Sequence, residues 1–262
     1  MPLPELSREK LRILRSLTSA KVRKRRGLCL VEGERALTEA FRSNRLKYLV
    51  TADKLSGKDR AALAGQHGVM ADLPLYVLDG GSFEELSDVR AGTGLLGVAG
   101  IPASAGIDDL PGQGKPVNLF FLDAVQEPGN VGTLIRTAWA LGLAGVLLGP
   151  GTADPFSRKA VRASAGGVFH LPLFEGVSPG DIDSLLARGF SLFFAERGGE
   201  DYRKVRYPDR SVLALGNEGA GTSDWVRERG KAVGVPMARG VDSLNVVVAG
   251  AILISAMKRE SR

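Results

Sequence analysis

The second half of the chain carries five short segments that are apolar almost throughout. They are "VNLFFLD" (117–123), "GVLLGP" (145–150), "FSLFFAER" (190–197), "SVLALGNEG" (211–219) and "AVGVPM" (232–237). A strand with one wet face alternates apolar and polar residues, so continuous apolar strands require cover on both faces. Helix-patterned stretches fall between them, at 154–166, 180–189 and 222–230. Strand, helix, strand in this order predicts a parallel sheet with helices on both sides. Such a sheet binds ligands at the C-terminal ends of its strands, and the loops there are where chemistry is to be sought.

The first hundred residues alternate shorter elements. Helical spacing at 6–17 starts on Ser7, a candidate cap. Strands are predicted at 28–33, 46–52, 75–79 and 94–100, and helices at 34–43, 58–66 and 82–89. Residues 101–116, "IPASAGIDDLPGQGKP", are rich in Gly, Pro, Ala and Asp and lack periodicity. The division expected is therefore a small α/β domain over 1–103, a linker over 104–115 and a second domain over 116–262.

The net charge is +6, and its placement is uneven: Lys21, Arg23, Lys24, Arg25 and Arg26 form a run beside Arg12 and Arg15. A clustered basic surface favours a polyanion such as RNA, or an anionic membrane. The apolar stretch 244–257 is shorter than the roughly 20 residues a membrane span needs. A single cysteine, Cys29, excludes an internal disulfide and points to a reducing compartment, the cytoplasm. Two histidines and one cysteine leave little for a zinc site, and no metal is expected.

Three loops at strand ends stand out. The first, "LDAVQEPGNVGTLIRTAWALG" (122–142), sets Asn130 at a helix start, where an N-cap belongs, and Arg136 off the apolar face formed by Val131, Leu134, Ile135 and Ala138. The second, "LGNEGAG" (215–221), is a glycine-rich turn holding Glu218; its spacing is not that of a dinucleotide site. The third, "VPMARGVDSLNVVVAGAI" (235–252), places Ser243 as a cap, with Leu244 and Asn245 opening an apolar helix. A buried asparagine there needs a partner or costs about 1–3 kcal/mol. Each loop alone has a purely structural reading.

In this order and spacing, the three loops resemble the SpoU (TrmH) family of RNA ribose 2′-O-methyltransferases, over about residues 117–260. "VRASAGGVFHLPL" (161–173) resembles the stretch between the first two motifs. The front half is similar to the small α/β RNA-binding domain of many members, through Arg25, Gly27 and "LVEG" (30–33). The last strand, "TGLLGVAG", lacks the Pro-Gln such domains carry before it, and Val247 stands where many members have a second serine.

The resemblance implies a parallel-sheet α/β methyltransferase domain of the SPOUT class with a C-terminal trefoil knot, preceded by the RNA-binding domain. It implies S-adenosylmethionine as methyl donor, contacted by Gly216, Val235, Met237 and Leu244. It assigns catalysis to Asn130, Arg136, Glu218, Ser243 and Asn245, in a homodimer whose active site draws on both subunits. Arg136 is better suited to clamp a phosphate than to act as a base, because guanidinium stays protonated in proteins. The run Lys21, Arg23, Lys24, Arg25 and Arg26 is then assigned to RNA contact. Ribosomal RNA, 23S above all, is the expected substrate; tRNA and a non-catalytic assembly factor are the alternatives, and target nucleotide and biological purpose stay open.

Overall fold

The computed structural model describes residues 3–52, 73–87, 94–112 and 114–260. The chain divides into two compact units, residues 1–103 with 154–170, and residues 104–153 with 171–262. Residues 154–170 pack with the first unit, although the sequence reading assigns them to the second.

In the first unit, helices α1 (Arg8–Ser16) and α2 (Ala20–Arg26) precede β1 (Leu28–Glu32), α3 (Glu34–Arg42), β2 (Leu46–Ala52), β3 (Leu75–Leu78), α4 (Gly80–Leu86) and β4 (Leu95–Gly100). The Ser7 side chain accepts the Lys10 N–H and caps α1, as expected. The helix predicted at 58–66 lies outside the described residues. The four strands form one sheet in the order β1-β4-β2-β3. One face packs on Leu14, Phe83 and Leu86 of the helices and on Leu17 just after α1; α3 covers the other, close enough that a Cβ at Gly97 would lie 2.6 Å from Leu37.

The second unit begins with the segment predicted as a linker, and it is not free. Ile107–Asp109 form a 3-10 turn and Leu110 joins the hydrophobic core. Arg188 donates to the carbonyls of Ile107 and Leu110, and Arg210 to those of Pro111 and Gly112. Charged side chains distant in sequence hold it down, a signal that composition cannot carry.

Then follow β5 (Val117–Asp123), α5 (Pro128–Ala140), β6 (Gly145–Leu148), α6 (Arg158–Ala163, in the first unit), β7 (Leu173–Glu175) and α7 (Pro179–Ala187). The chain ends on β8 (Ser191–Asp201), β9 (Arg210–Gly216), α8 (Asp224–Arg227), β10 (Lys231–Gly234) and α9 (Val246–Glu260). The six strands pair in the order β10-β8-β9-β5-β6-β7, all parallel. All seven residues of β5 are buried, which is why its sequence is apolar without alternation.

Candidate active site

From β5 the chain winds outward through β6 to β7, then returns to lay β9 and β8 on the other side of β5. The boundary between β5 and β9 is the topological switch point, where an open α/β sheet leaves a crevice. The register pairs Asp123 with Gly216, the last residues of the two strands. The first and second motif loops therefore leave the sheet side by side. Asp123, 5% exposed, accepts the Ser223 N–H at 2.7 Å. A Cβ on Gly216 would lie 2.3 Å from the Gly221 carbonyl carbon. The glycine is required by its own tight turn, rather than by approach to a ligand as a glycine-rich loop suggests.

The helix caps differ from the sequence reading. Glu127, not Asn130, caps α5, accepting the Gly129 N–H with its side chain. Pro128 takes the first helical position, where its missing N–H costs nothing. This frees the Asn130 amide. Its Nδ2 donates to Glu218 Oε1 at 2.9 Å, and its Oδ1 accepts from Asn245 Nδ2 at 3.4 Å. At the third motif Ser243 is not the cap, because α9 begins at Val246. Asn245 fills that role: its Oδ1 accepts the Val247 N–H at 2.9 Å and its carbonyl accepts the Ala249 N–H. Asn245 is exposed rather than buried, and the side-chain chain Asn245–Asn130–Glu218 joins all three motifs.

Glu218 accepts three donors, the Asn130 amide and the backbone N–H groups of Gln126 (3.1 Å) and Glu127 (3.2 Å). Burial pushes its carboxyl up, but these hydrogen bonds and one from its own backbone outweigh it, and the group sits below its ordinary value. Glu218 is an anion that orients its neighbours.

Beside this chain lies a cavity of about 380 Å³, within the range of small-molecule sites. Gly216, Glu218, Val235, Met237, Ser243, Leu244 and Asn245 all line it, with Leu215, Val233, Ala249 and Leu253 adding apolar wall. The sequence reading missed Asn217, Thr222, Glu196 and Arg197, which also line it. Thr222 Oγ1 is buried there without a hydrogen-bond partner among the described residues. Arg197 pairs with Asp242 at 2.9 Å, and Glu196 pairs with Arg227.

Arg136 is exposed on α5, as the helical wheel predicts, and has no hydrogen-bond or ion-pair partner among the described residues. It does not line the cavity. Of the basic run, Lys21, Lys24, Arg25 and Arg26 are exposed on α2. Arg23 is not available to RNA: it is 6% exposed, pairs with Asp154 at 2.5 Å and donates to the carbonyls of Leu17 and Thr18. The run is a helix, and its turn directs Arg23 inward. Cys29 is buried, and burial, with the nearby Asp154 charge, pushes its thiol to about 12, only partly offset by Arg23. It is no nucleophile. No group of three or more His, Cys, Asp or Glu positioned to hold a metal occurs among the described residues.

Comparison with known proteins gives the family of the chain. Residues 118–255 match the SpoU rRNA Methylase family, and residues 8–97 match the MRM3-like substrate binding domain. The chain is 31% identical over 248 residues to the 23S rRNA (guanosine(2553)-2′-O)-methyltransferase RlmP of Bacillus subtilis, covering 94% of each chain. It is 32% identical over 174 residues to the 23S rRNA (uridine(2479)-2′-O)-methyltransferase of Streptomyces viridochromogenes, covering 63% of this chain and 60% of that one. Among solved structures it is similar to the SpoU methyltransferase AviRb of Streptomyces viridochromogenes in complex with AdoMet, with a TM-score of 0.83, 25% identity and coverage of 97% and 98%. It is also similar to the AdoMet-bound rRNA methyltransferase of Sinorhizobium meliloti, with a TM-score of 0.80, 28% identity and coverage of 98% and 97%.

Proposed function

The chain belongs to the SpoU rRNA methylase family, and on that premise we propose that it transfers the methyl group of S-adenosylmethionine to a ribose 2′-hydroxyl of ribosomal RNA, 23S rRNA above all. The observation that carries the reading is that the second and third motif loops line one cavity, and that the Asn245–Asn130–Glu218 chain ties the first motif loop to them beside it.

The cavity fits the donor. Its apolar wall suits an adenine ring; the unpartnered Thr222 hydroxyl and the Ser243 and Asn245 side chains offer hydrogen bonds. Gly216, Val235, Met237 and Leu244 are assigned to hold it. When bound, the donor supplies a methyl group on a sulfonium, a leaving group that departs as a neutral thioether. As the hydroxyl oxygen takes the methyl and the carbon–sulfur bond breaks, the hydroxyl proton passes to water. Asn130, Ser243 and Asn245 are assigned to place that hydroxyl, and Glu218 to hold Asn130. Glu218 already accepts three hydrogen bonds and sits low in its titration, which favours orientation over proton transfer. Arg136, unpartnered and exposed, is assigned to clamp a backbone phosphate beside the target ribose through its planar fork.

Arg136 does not line the cavity of its own chain, which supports a homodimer whose sites draw on both subunits. Val241, Leu244 and Val248, 42%, 36% and 47% exposed at the third motif, with Trp139 at the end of α5, form the apolar surface proposed for that contact. A trefoil knot through the third motif and a cytoplasmic location complete the proposal.

The test is twofold. Calorimetry with S-adenosylmethionine in chelator-treated buffer should give binding, and mapping of 2′-O-methyl sites in ribosomal RNA with and without the protein should reveal one that depends on it. Silence in both would remove the enzyme reading.

A further inference from the structure

We propose that Asn217 is a positioning residue of the transfer site, holding the loop after β5 in the conformation that aims two backbone N–H groups at Glu218; this rests on the methyltransferase reading above. Asn217 follows Gly216 at the end of β9. Its backbone N–H and carbonyl both bond to Gly221 at 2.9 Å. Its Oδ1 accepts from the N–H groups of Gly219 (3.0 Å) and Ala220 (2.9 Å). These bonds close the 217–221 turn, and an asparagine of purely local purpose would stop there.

Its Nδ2 does something the turn does not need. It crosses to the other motif loop and donates to the Ala124 carbonyl at 3.0 Å. Ala124 has φ 59°, in the left-handed region, which a residue bearing a Cβ seldom adopts. Such a conformation persists where its surroundings impose it. Its consequence lies two residues on. Val125 turns inward with 0% exposure, and the next two N–H groups, of Gln126 and Glu127, point at the Glu218 carboxylate. One asparagine thus fixes both sides of the arrangement: Oδ1 shapes the turn that bears Glu218, and Nδ2 holds the loop that supplies its donors and leads into Asn130.

The two ends of the amide separate the two roles experimentally. Asn217→Asp keeps acceptors for Gly219 and Ala220 but loses the donor to Ala124 and sets a carboxylate against its carbonyl. Single-turnover transfer to ribosomal RNA at saturating donor should fall about 100-fold, the scale of a small misplacement at a reacting centre. Donor affinity should stay within about threefold, since the turn lining the cavity is retained. Asn217→Ala should lose both. Combined with Glu218→Gln, Asn217→Asp should cost much less than the product of the single effects, because both act through one arrangement. Wild-type transfer by Asn217→Asp, equal losses in donor affinity and rate, or multiplicative effects in the double variant would each overturn the proposal. If a melting curve shows Asn217→Asp unfolded, Asn217→Ser, neutral and too short to reach Ala124, decides by the same criteria. A wild-type protein that binds no donor and methylates no RNA would sink the methyltransferase reading instead.

Discussion

Arg136 and Glu218 carry opposite charges and opposite assignments. Arg136 is exposed and unpartnered among the described residues, so its removal should leave the fold and donor affinity nearly intact. Single-turnover transfer by Arg136→Ala should drop by roughly two to three decades, the range for losing one preorganised charge-stabilising donor. Arg136→Lys should restore little, because a point charge does not reproduce a bidentate fork. Near-wild-type transfer by the alanine variant would return Arg136 to a solvent-facing role. Glu218 behaves differently with pH. Its folded value lies below the usual 4.5, so its stabilisation of the motif loops is full above that usual value and is lost as pH falls through the lower, folded one. Activity from pH 6 to 9 should therefore show no inflection that Glu218→Gln removes, although that variant should be slow throughout. An inflection in this window that disappears in Glu218→Gln would make Glu218 a proton acceptor after all.

At the level of elements, the parallel sheet was legible because burial on both faces leaves an unmistakable apolar run, as in Val117–Asp123. Helix boundaries were less so. Asn130 and Ser243 are good caps by residue type, yet Glu127 and Asn245 cap the helices, because tertiary bonds reserve Asn130 for Glu218. Nothing in the sequence says that the loops after β5 and β9 are neighbours, since strand order is set by crossovers and not by local pattern. The motifs were legible through resemblance; Asn217 and Thr222 emerge only once the loops are in contact. The basic run fails similarly: read as a string it is five equivalent cations, whereas α2 turns Arg23 onto Asp154. Arg23→Ala should cost roughly 2–3 kcal/mol, less than the 3–5 of a fully buried pair because Asp154 keeps some solvent. A melting temperature unchanged by it would contradict that. Replacing Lys24, Arg25 and Arg26 together should instead leave melting unchanged and flatten the salt dependence of RNA binding. The slope of log affinity on log salt should fall by about 0.7–0.9 for each phosphate no longer neutralised. An unaltered slope would assign these side chains to a solvated face.

For the whole molecule the question is whether one chain suffices. The cavity, the Asn245–Asn130–Glu218 chain and Asn217 all belong to a single copy, and Arg136 does not line that cavity. If two copies share each site, light scattering should give twice the 27.7 kDa of the chain. Mass alone does not test sharing, but mixed dimers do. Suppose Arg136 of one subunit serves the cavity of the other. In a dimer of one Arg136→Ala and one Asn245→Ala chain, one site then carries both substitutions and the other carries neither. Each variant alone should be nearly inactive. After the two are mixed, unfolded and refolded together, random pairing makes about half the dimers mixed, with one intact site each. Transfer should recover to about a quarter of the wild-type rate per chain. If each subunit instead uses its own Arg136, every site in the mixture lacks one group and no recovery occurs. Absence of recovery, with mixed dimers confirmed by differential tagging, would place Arg136 in the same subunit as the cavity it serves.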